Sequence, residues 1–247
     1  MKKVVPENEE QFLANYDANA FEHPSVSVDI AVLTAEAGSL HAVMTSREHH
    51  PFKDHWALPG AFVGMGENLR DAARRALREK TGIKDVWLEQ LYTFGNPQRD
   101  PRTRVISVAY YALVDAKRLR TTFNKGSELA PVDVPWAGET GGPVGLLNPD
   151  GTQRAIAFDH ADILGLAVRR IRGKLNYSAI GFQLLPPSFT LRRLQEVHET
   201  VLGLEVNKDS FRRRLLASGD LEATGEREAD VGHRPAELYR FVRRSAI

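Results

Sequence analysis

Two spacings of apolar residues organise the 247-residue chain. Val26 to Leu33 and Leu40 to Ser46 are β-rich runs separated by the turn Glu36-Ala37-Gly38-Ser39, which predicts two strands. Val86 to Phe94 and Arg104 to Val114 read the same way. Between the two pairs, Asn68 is placed to cap a helix that stops at Gly82. Its residues Leu69, Ala72, Ala73, Ala76 and Leu77 form one stripe at helical spacing. A second helix is expected from Asp159 to Gly173, with Asp162 as capping partner three residues on. Ala137 to Thr152, dense in glycine and proline and without periodicity, reads as a long loop.

The pattern changes after Pro186-Pro187. Thr190 predicts an N-cap, Phe189 staples onto Leu194, and Leu191, Leu194, Val197 and Val201 keep the helical period until Gly203. After a short turn Asn207 caps another helix, which ends at Gly219. Two strand-like runs follow, Leu221 to Thr224 and Glu237 to Val242, around a polar tip with Gly225, Arg227, Gly232, His233 and Arg234. Helix, short turn, helix, hairpin is the order of a winged helix-turn-helix, and equally of a small packing domain.

Composition narrows the classes. Hydrophobic residues at 42% and charged residues at 26% supply an ordinary core and exclude a disordered chain. No stretch approaches the ~20 uncharged apolar residues of a membrane helix. The start, with Lys2, Lys3, Glu7, Glu9 and Glu10, has no apolar block and is expected to be no signal peptide. Zero cysteines exclude disulfides, thiol nucleophiles and cysteine-bound zinc. A cytoplasmic protein without a membrane partner is the expectation. Lys and Arg number 33 against 32 Asp and Glu, so any nucleic-acid contact must come from a local cluster. The eight histidines show no metal-ligating spacing, and His49, His50 and His160 read as loop and cap residues.

Candidate chemistry begins with Leu58 to Ile83, LPGAFVGMGENLRDAARRALREKTGI. The segment closely resembles the Nudix box, G-x5-E-x7-R-E-U-x-E-E-x-G-U with U a bulky aliphatic residue. Glu67, Arg75, Leu77, Glu79, Gly82 and Ile83 match it, whereas Ala61 replaces the first Gly, Ala76 a Glu and Lys80 a second Glu. Positions 76, 79 and 80 are expected on one helix face. In Nudix enzymes glutamates there hold divalent ions, as hard oxygen ligands suit Mg²⁺. Here a methyl and an ammonium flank Glu79, so Lys80 is placed to meet a phosphate directly; a helix that merely packs, with Lys80 solvated, fits as well. Arg47, Arg99, Arg102 and Arg104 are further phosphate candidates, suited to bidentate contacts, with solvated loop arginines as the other reading. Trp56 reads as core or as a stacking platform.

Over nearly the whole chain, the Nudix box, the string YTFGNPQRDPRTRVISVAYYALV, the AFDHADIL segment and the C-terminal winged helix resemble the Nudix-related transcriptional regulators, the NrtR family. The resemblance implies an α/β fold, a Nudix α/β/α sandwich over residues 1–176 that senses a ligand, and a winged helix-turn-helix over 177–247 that binds DNA. It implies a homodimer on a palindromic double-stranded operator. The effector would be ADP-ribose or a related nucleotide, and the regulated genes NAD-related or sugar-catabolic. A repressor is the first expectation. By analogy with winged helices, Asn207, Lys208 and Ser210 would read bases, Arg212, Arg213 and Arg214 would clamp phosphates, and Arg227 and Arg234 would hold flanking phosphates. Arg192 and Arg193 are further candidates for the DNA backbone, and an arginine run is otherwise a solvated face. The ligand set is then Arg47, Trp56, Arg75, Glu79, Lys80, Arg99, Arg102 and Arg104, with no catalytic residue, metal or cofactor. The alternatives are a divergent Nudix pyrophosphatase using Glu79, and a nucleotide-binding scaffold that touches no DNA.

Overall fold

A computed structural model describes residues 8–124, 126–175, 178–229, 232 and 234–242. The expected domain boundary between residues 176 and 177, the first residues with Lys2 and Lys3, and His233 of the hairpin tip lie outside the described residues. After a short exposed helix α1 (Glu9–Ala14), strands β1 (Ser25–Glu36) and β2 (Ser39–Ser46) form an antiparallel hairpin. Its turn places Ala37 at φ 49° and Gly38 at φ 76°, the left-handed pair that a tight hairpin requires. The short strands β3 (Trp56–Ala57) and β4 (Gly60–Phe62) pair with β2 and β1. Helix α2 (Leu69–Thr81) follows, capped by the Asn68 side chain and closed by Gly82 at φ 82°. Then come β5 (Glu89–Phe94), β6 (Val105–Leu113), α3 (Ala116–Arg120), β7 (Ser127–Asp133), β8 (Gly145–Leu146) and α4 (His160–Lys174).

The strands make one mixed sheet in the order β5-β6-β1-β2-β7-β8, with β1 and β6 parallel. Both faces of its centre are covered, so its strands are near-continuous apolar runs rather than alternating ones. Val28, Ile30 and Val32 of β1 join Ala72, Ala73, Ala76 and Leu77 of α2 in one buried cluster. Ala31, Leu33 and Ala35 of the same strand join Ile163, Leu164 and Val168 of α4 in the other. That is the expected α/β/α sandwich. The Ala137 to Thr152 segment is not all loop: β8 lies within it, pairing with β7. The strand expected from Val86 begins only at Glu89, after a left-handed turn at Asp85. α4 runs to Lys174 close against this segment: a Cβ on Gly165 would stand 1.9 Å from the Gly142 carbonyl oxygen.

Helices α5 (Leu191–Leu202) and α6 (Lys208–Ser218) and the hairpin β9 (Leu221–Arg227) and β10 (Glu237–Phe241) complete the winged helix. Phe189 exchanges two backbone hydrogen bonds with Tyr239, adding a third short strand to the wing. The core is continuous with the sandwich: Leu194, Val197, Val201, Phe211 and Leu215 share a cluster with Ile171 of α4 and Leu184. No helix of the described residues is long and apolar enough to cross a membrane.

Candidate functional site

A cleft of about 740 Å³ opens beside α2 and β4. Arg47, Arg75, Glu79, Lys80, Arg99 and Arg102 line it, whereas Trp56 and Arg104 do not. Trp56 packs half-buried on the core, with the Arg154 guanidinium 5.0 Å from its ring, and is set against the core rather than in the cleft. Arg104 is exposed, next to the lining residue Val105.

One wall is built on Phe158, a residue the sequence reading passed over. It sits at φ 53°, a left-handed conformation that costs an aromatic residue energy and is found where a site is pre-shaped. The Arg47 guanidinium lies 4.7 Å above its ring and that of Arg102 5.8 Å, with Arg102 also 5.5 Å from Phe62. Asp100 holds Arg102 through two bonds of 3.0 and 2.7 Å. Arg47 is fixed by donating to the Pro51 carbonyl at 2.8 Å, and burial together with Arg102 lowers its pKa. Two guanidinium groups therefore face one opening across the Phe158 ring, and Asp100 is the carboxylate that holds Arg102.

Beneath them lies a buried polar cluster. Arg99, 8% exposed, forms a bidentate pair with Asp159 at 2.8 and 2.7 Å and reaches Asp29 at 3.3 Å. Burial opposes its charge, but the two carboxylates outweigh that and hold its pKa above the ordinary value. Asp29 also accepts from the Ser107 hydroxyl. A Cβ on Gly60 would fall 2.3 Å from the Asp29 carboxylate, so only glycine fits there. Asp159, expected to cap α4 by its side chain, makes no cap hydrogen bond because Arg99 takes its carboxylate. His160, at the start of α4 as expected, is buried: its Nδ1 accepts from the Leu58 N–H at 2.9 Å, leaving Nε2 toward Asp29 at 3.5 Å. Burial lowers its pKa against the pull of Asp29, so it is a neutral imidazole near neutral pH. A carboxylate at position 29, inside an apolar strand, was the signal for this cluster.

On α2 and the turn that leads into it, the Nudix-box acids Glu67 and Glu79 are already engaged. Glu67 accepts two bonds from Arg75 at 2.8 Å and one from the Gly64 N–H, which holds its pKa down at about 2. Arg75 also reaches Glu79 at 3.3 Å and the Phe62 carbonyl at 3.0 Å. Ala76 is not on the cleft face: it is fully buried against the sheet, so of positions 76, 79 and 80 the last two edge the opening, beside Arg75. Among the described residues the Lys80 ammonium pairs with no carboxylate. A divalent ion of the Nudix type does not fit this set. Its carboxylates are neutralised by Arg75, and an ammonium stands beside them. Among the described residues no three acids or histidines converge as metal ligands.

At the other end of the molecule, Glu199 fixes the turn between α5 and α6 by accepting from the Val206 N–H at 3.1 Å and from Gln195 at 3.0 Å. Asn207 caps α6, its side-chain oxygen accepting from the Ser210 N–H at 3.0 Å, which leaves its amide NH₂ outside the cap. Lys208, Ser210, Arg213 and Arg214 are exposed on α6. Arg212 is half-buried beside the wing, its Nε shielded and without a hydrogen-bond partner. Arg227 and Arg234 are exposed on the hairpin. Arg192 pairs with Glu196 at 3.0 Å. Arg193 is spent differently from the expectation: it donates to the Ala35 carbonyl at 3.0 Å and ties α5 to the sandwich.

Comparison with known proteins agrees with both halves. Residues 23–137 match the NUDIX domain and residues 181–241 the NrtR DNA-binding winged helix domain. The chain is 37% identical to the ADPR responsive transcriptional repressor NtrR of Acinetobacter baylyi, over 95% of this chain and 89% of that protein. A crystal structure of Shewanella oneidensis NrtR complexed with a 27mer DNA superposes with a TM-score of 0.74 at 31% identity, covering 88% of this chain and 93% of the other. A shorter similarity, 36% over 88 residues, links 36% of this chain to 50% of an ADP-ribose pyrophosphatase of Methanocaldococcus jannaschii.

Proposed function

Because the chain belongs to the NrtR family of Nudix-related regulators, we propose that it is a transcriptional repressor whose cleft binds ADP-ribose or a related nucleotide and thereby changes its hold on operator DNA. The observation that carries this reading is the pairing, in one chain, of a cation-rich cleft with an exposed basic helix on a winged helix. Arg47, Arg102 and Lys80 supply the charge for a diphosphate, since guanidinium and ammonium groups bind phosphate oxygens strongly. Arg99 acts beneath them as the clamp that holds the cleft floor. Lys208, Arg213 and Arg214 meet phosphates and bases of the major groove, Asn207 and Ser210 lie at the start of the same helix, and Arg227 and Arg234 flank it. The protein acts as a homodimer on a palindrome, because a two-fold protein is mirrored in its operator. This reading makes it cytoplasmic, where its DNA lies.

The same residues argue against hydrolysis. Metal-assisted cleavage needs ions that polarise the pyrophosphate and activate water, and the Nudix-box acids Glu67 and Glu79 are occupied by Arg75. The similarity to a pyrophosphatase makes hydrolysis the competing reading. ADP-ribose incubated with the protein and Mg²⁺ separates the two. A turnover of about 1 s⁻¹ or more, the low end of typical enzymes, supports the enzyme. For the regulator, ADP-ribose is titrated into a complex of the protein with a fluorescent duplex from the DNA upstream of its own gene. A change in DNA affinity is expected, and an unchanged isotherm at saturating nucleotide refutes the sensor.

A further inference from the structure

Helix α4 touches both functional regions. At its start, Phe158 forms the cleft wall under Arg47 and Arg102, and Asp159 clamps Arg99. Its 15 residues span about 22 Å. Its inner stripe, Ile163, Leu164, Val168 and Ile171, is at most 1% exposed. Close-packed interiors do not bend gradually, so such a helix shifts as a rod.

Arg172 stands at the far end and is 5% exposed. Among the described residues it pairs with no carboxylate. It donates instead to the Val201 carbonyl at 2.8 Å, in the last turn of α5, and to the carbonyls of Trp136 at 3.2 Å and Gly138 at 2.9 Å. Its guanidinium also lies 4.8 Å from the Trp136 ring. Carbonyl dipoles compensate a desolvated cation only when their geometry is good, so this joint is sensitive to small displacements. α5 is fixed to α6 by the Glu199 turn, so what moves α5 moves the DNA-facing helix.

We infer that α4 is the mechanical link between the cleft and the winged helix, and that Arg172 is the positioning residue through which nucleotide occupancy reaches α5. The inference rests on the repressor reading. Coupling of this kind requires the nucleotide to favour one placement of α4 over another, and DNA must then change nucleotide affinity by the same factor.

The test uses the full chain as wild type and as Arg172→Gln. Nucleotide affinity is measured by calorimetry with ADP-ribose, and DNA affinity on the upstream duplex with and without it. The variant is expected to keep both separate affinities within about threefold. The effect of ADP-ribose on DNA binding, about 5- to 150-fold for a typical coupling, should fall to less than about twofold. A variant that retains the wild-type factor overturns the inference while leaving the repressor reading intact. A wild type that binds ADP-ribose without any change in DNA affinity overturns that reading and the inference with it. A second measurement needs no change at Arg172. In protein labelled with 5-fluorotryptophan, the Trp136 ¹⁹F resonance, identified by its loss in Trp136→Phe, should shift on saturation with ADP-ribose, although Trp136 does not line the cleft. A stationary resonance overturns the inference even if Arg172→Gln fails to fold.

Discussion

Replacing Arg99 by methionine probes whether the cleft floor is held by a buried ion pair. The guanidinium is almost inaccessible, with 4% of its side chain exposed, and its partners Asp29 and Asp159 are 10% and 18% exposed. Methionine fills much of the same space but leaves Asp29 buried with Ser107 as its remaining hydroxyl donor. Removing one member of a buried pair costs about 3–5 kcal/mol, because the other charge is stranded. At about 2–4 °C per kcal/mol for a chain of this size, the melting temperature should drop by about 6–20 °C. Urea unfolding followed by tryptophan emission and by circular dichroism gives the free energy directly. Adding Asp29→Asn to the variant should return at least about 1 kcal/mol, the signature of coupled neighbours. If Arg99→Met alone stays within about 1 kcal/mol of wild type, the clamp contributes nothing as an ion pair and the account of the floor is wrong.

Four further outcomes are expected. Ala37→Gly should stabilise the chain by about 0.5 kcal/mol in thermal unfolding, as relief of left-handed strain at φ 49° exceeds the added entropy of the unfolded chain. His198 is buried and its pKa is lowered to about 4, chiefly by burial and then by Arg214. Its contribution is thus complete above the unfolded pKa of about 6.5 and is lost as pH falls toward 4, about 3 kcal/mol at about 1.4 kcal/mol per pH unit. His198→Gln should flatten urea stability over that window, and an unchanged pH slope would count against the assignment. Lys80→Glu should weaken ADP-ribose binding about tenfold or more, since reversing a charge beside a diphosphate costs at least ~1 kcal/mol per contact even in water. Calorimetry of the wild type should be indifferent to a chelator, and a requirement for Mg²⁺ would contradict the reading of α2.

What the sequence made legible follows from how local each signal is. α2 could be read to its caps because an apolar stripe, Asn68 and Gly82 all lie within fifteen residues. β7 escaped because its residues are mostly half-buried and one of them is Pro131, so no alternation marks it. α3 is five residues long, too short to display a period. The cleft arginines were found by residue type, yet type alone cannot tell which face of the fold a side chain meets. Trp56 and Arg104 were therefore included, and Arg193 was assigned to DNA although it binds the Ala35 carbonyl. Phe158 depends on one backbone dihedral and on partners more than fifty residues away in the chain, and no local pattern carries that information.

The Glu199-centred turn between α5 and α6 bears on how the protein meets DNA. With both ends of the turn hydrogen-bonded inside the free chain, the angle between the two helices is settled before any contact. The protein then forfeits little freedom at that corner on docking, and the ordering penalty that burdens flexible readers is largely absent there. A rigid reader thereby adds to its base contacts a second source of selectivity, how well the duplex conforms to it. Sequences that resist the required groove width or half-site separation are rejected by their own stiffness, at base pairs the protein never touches.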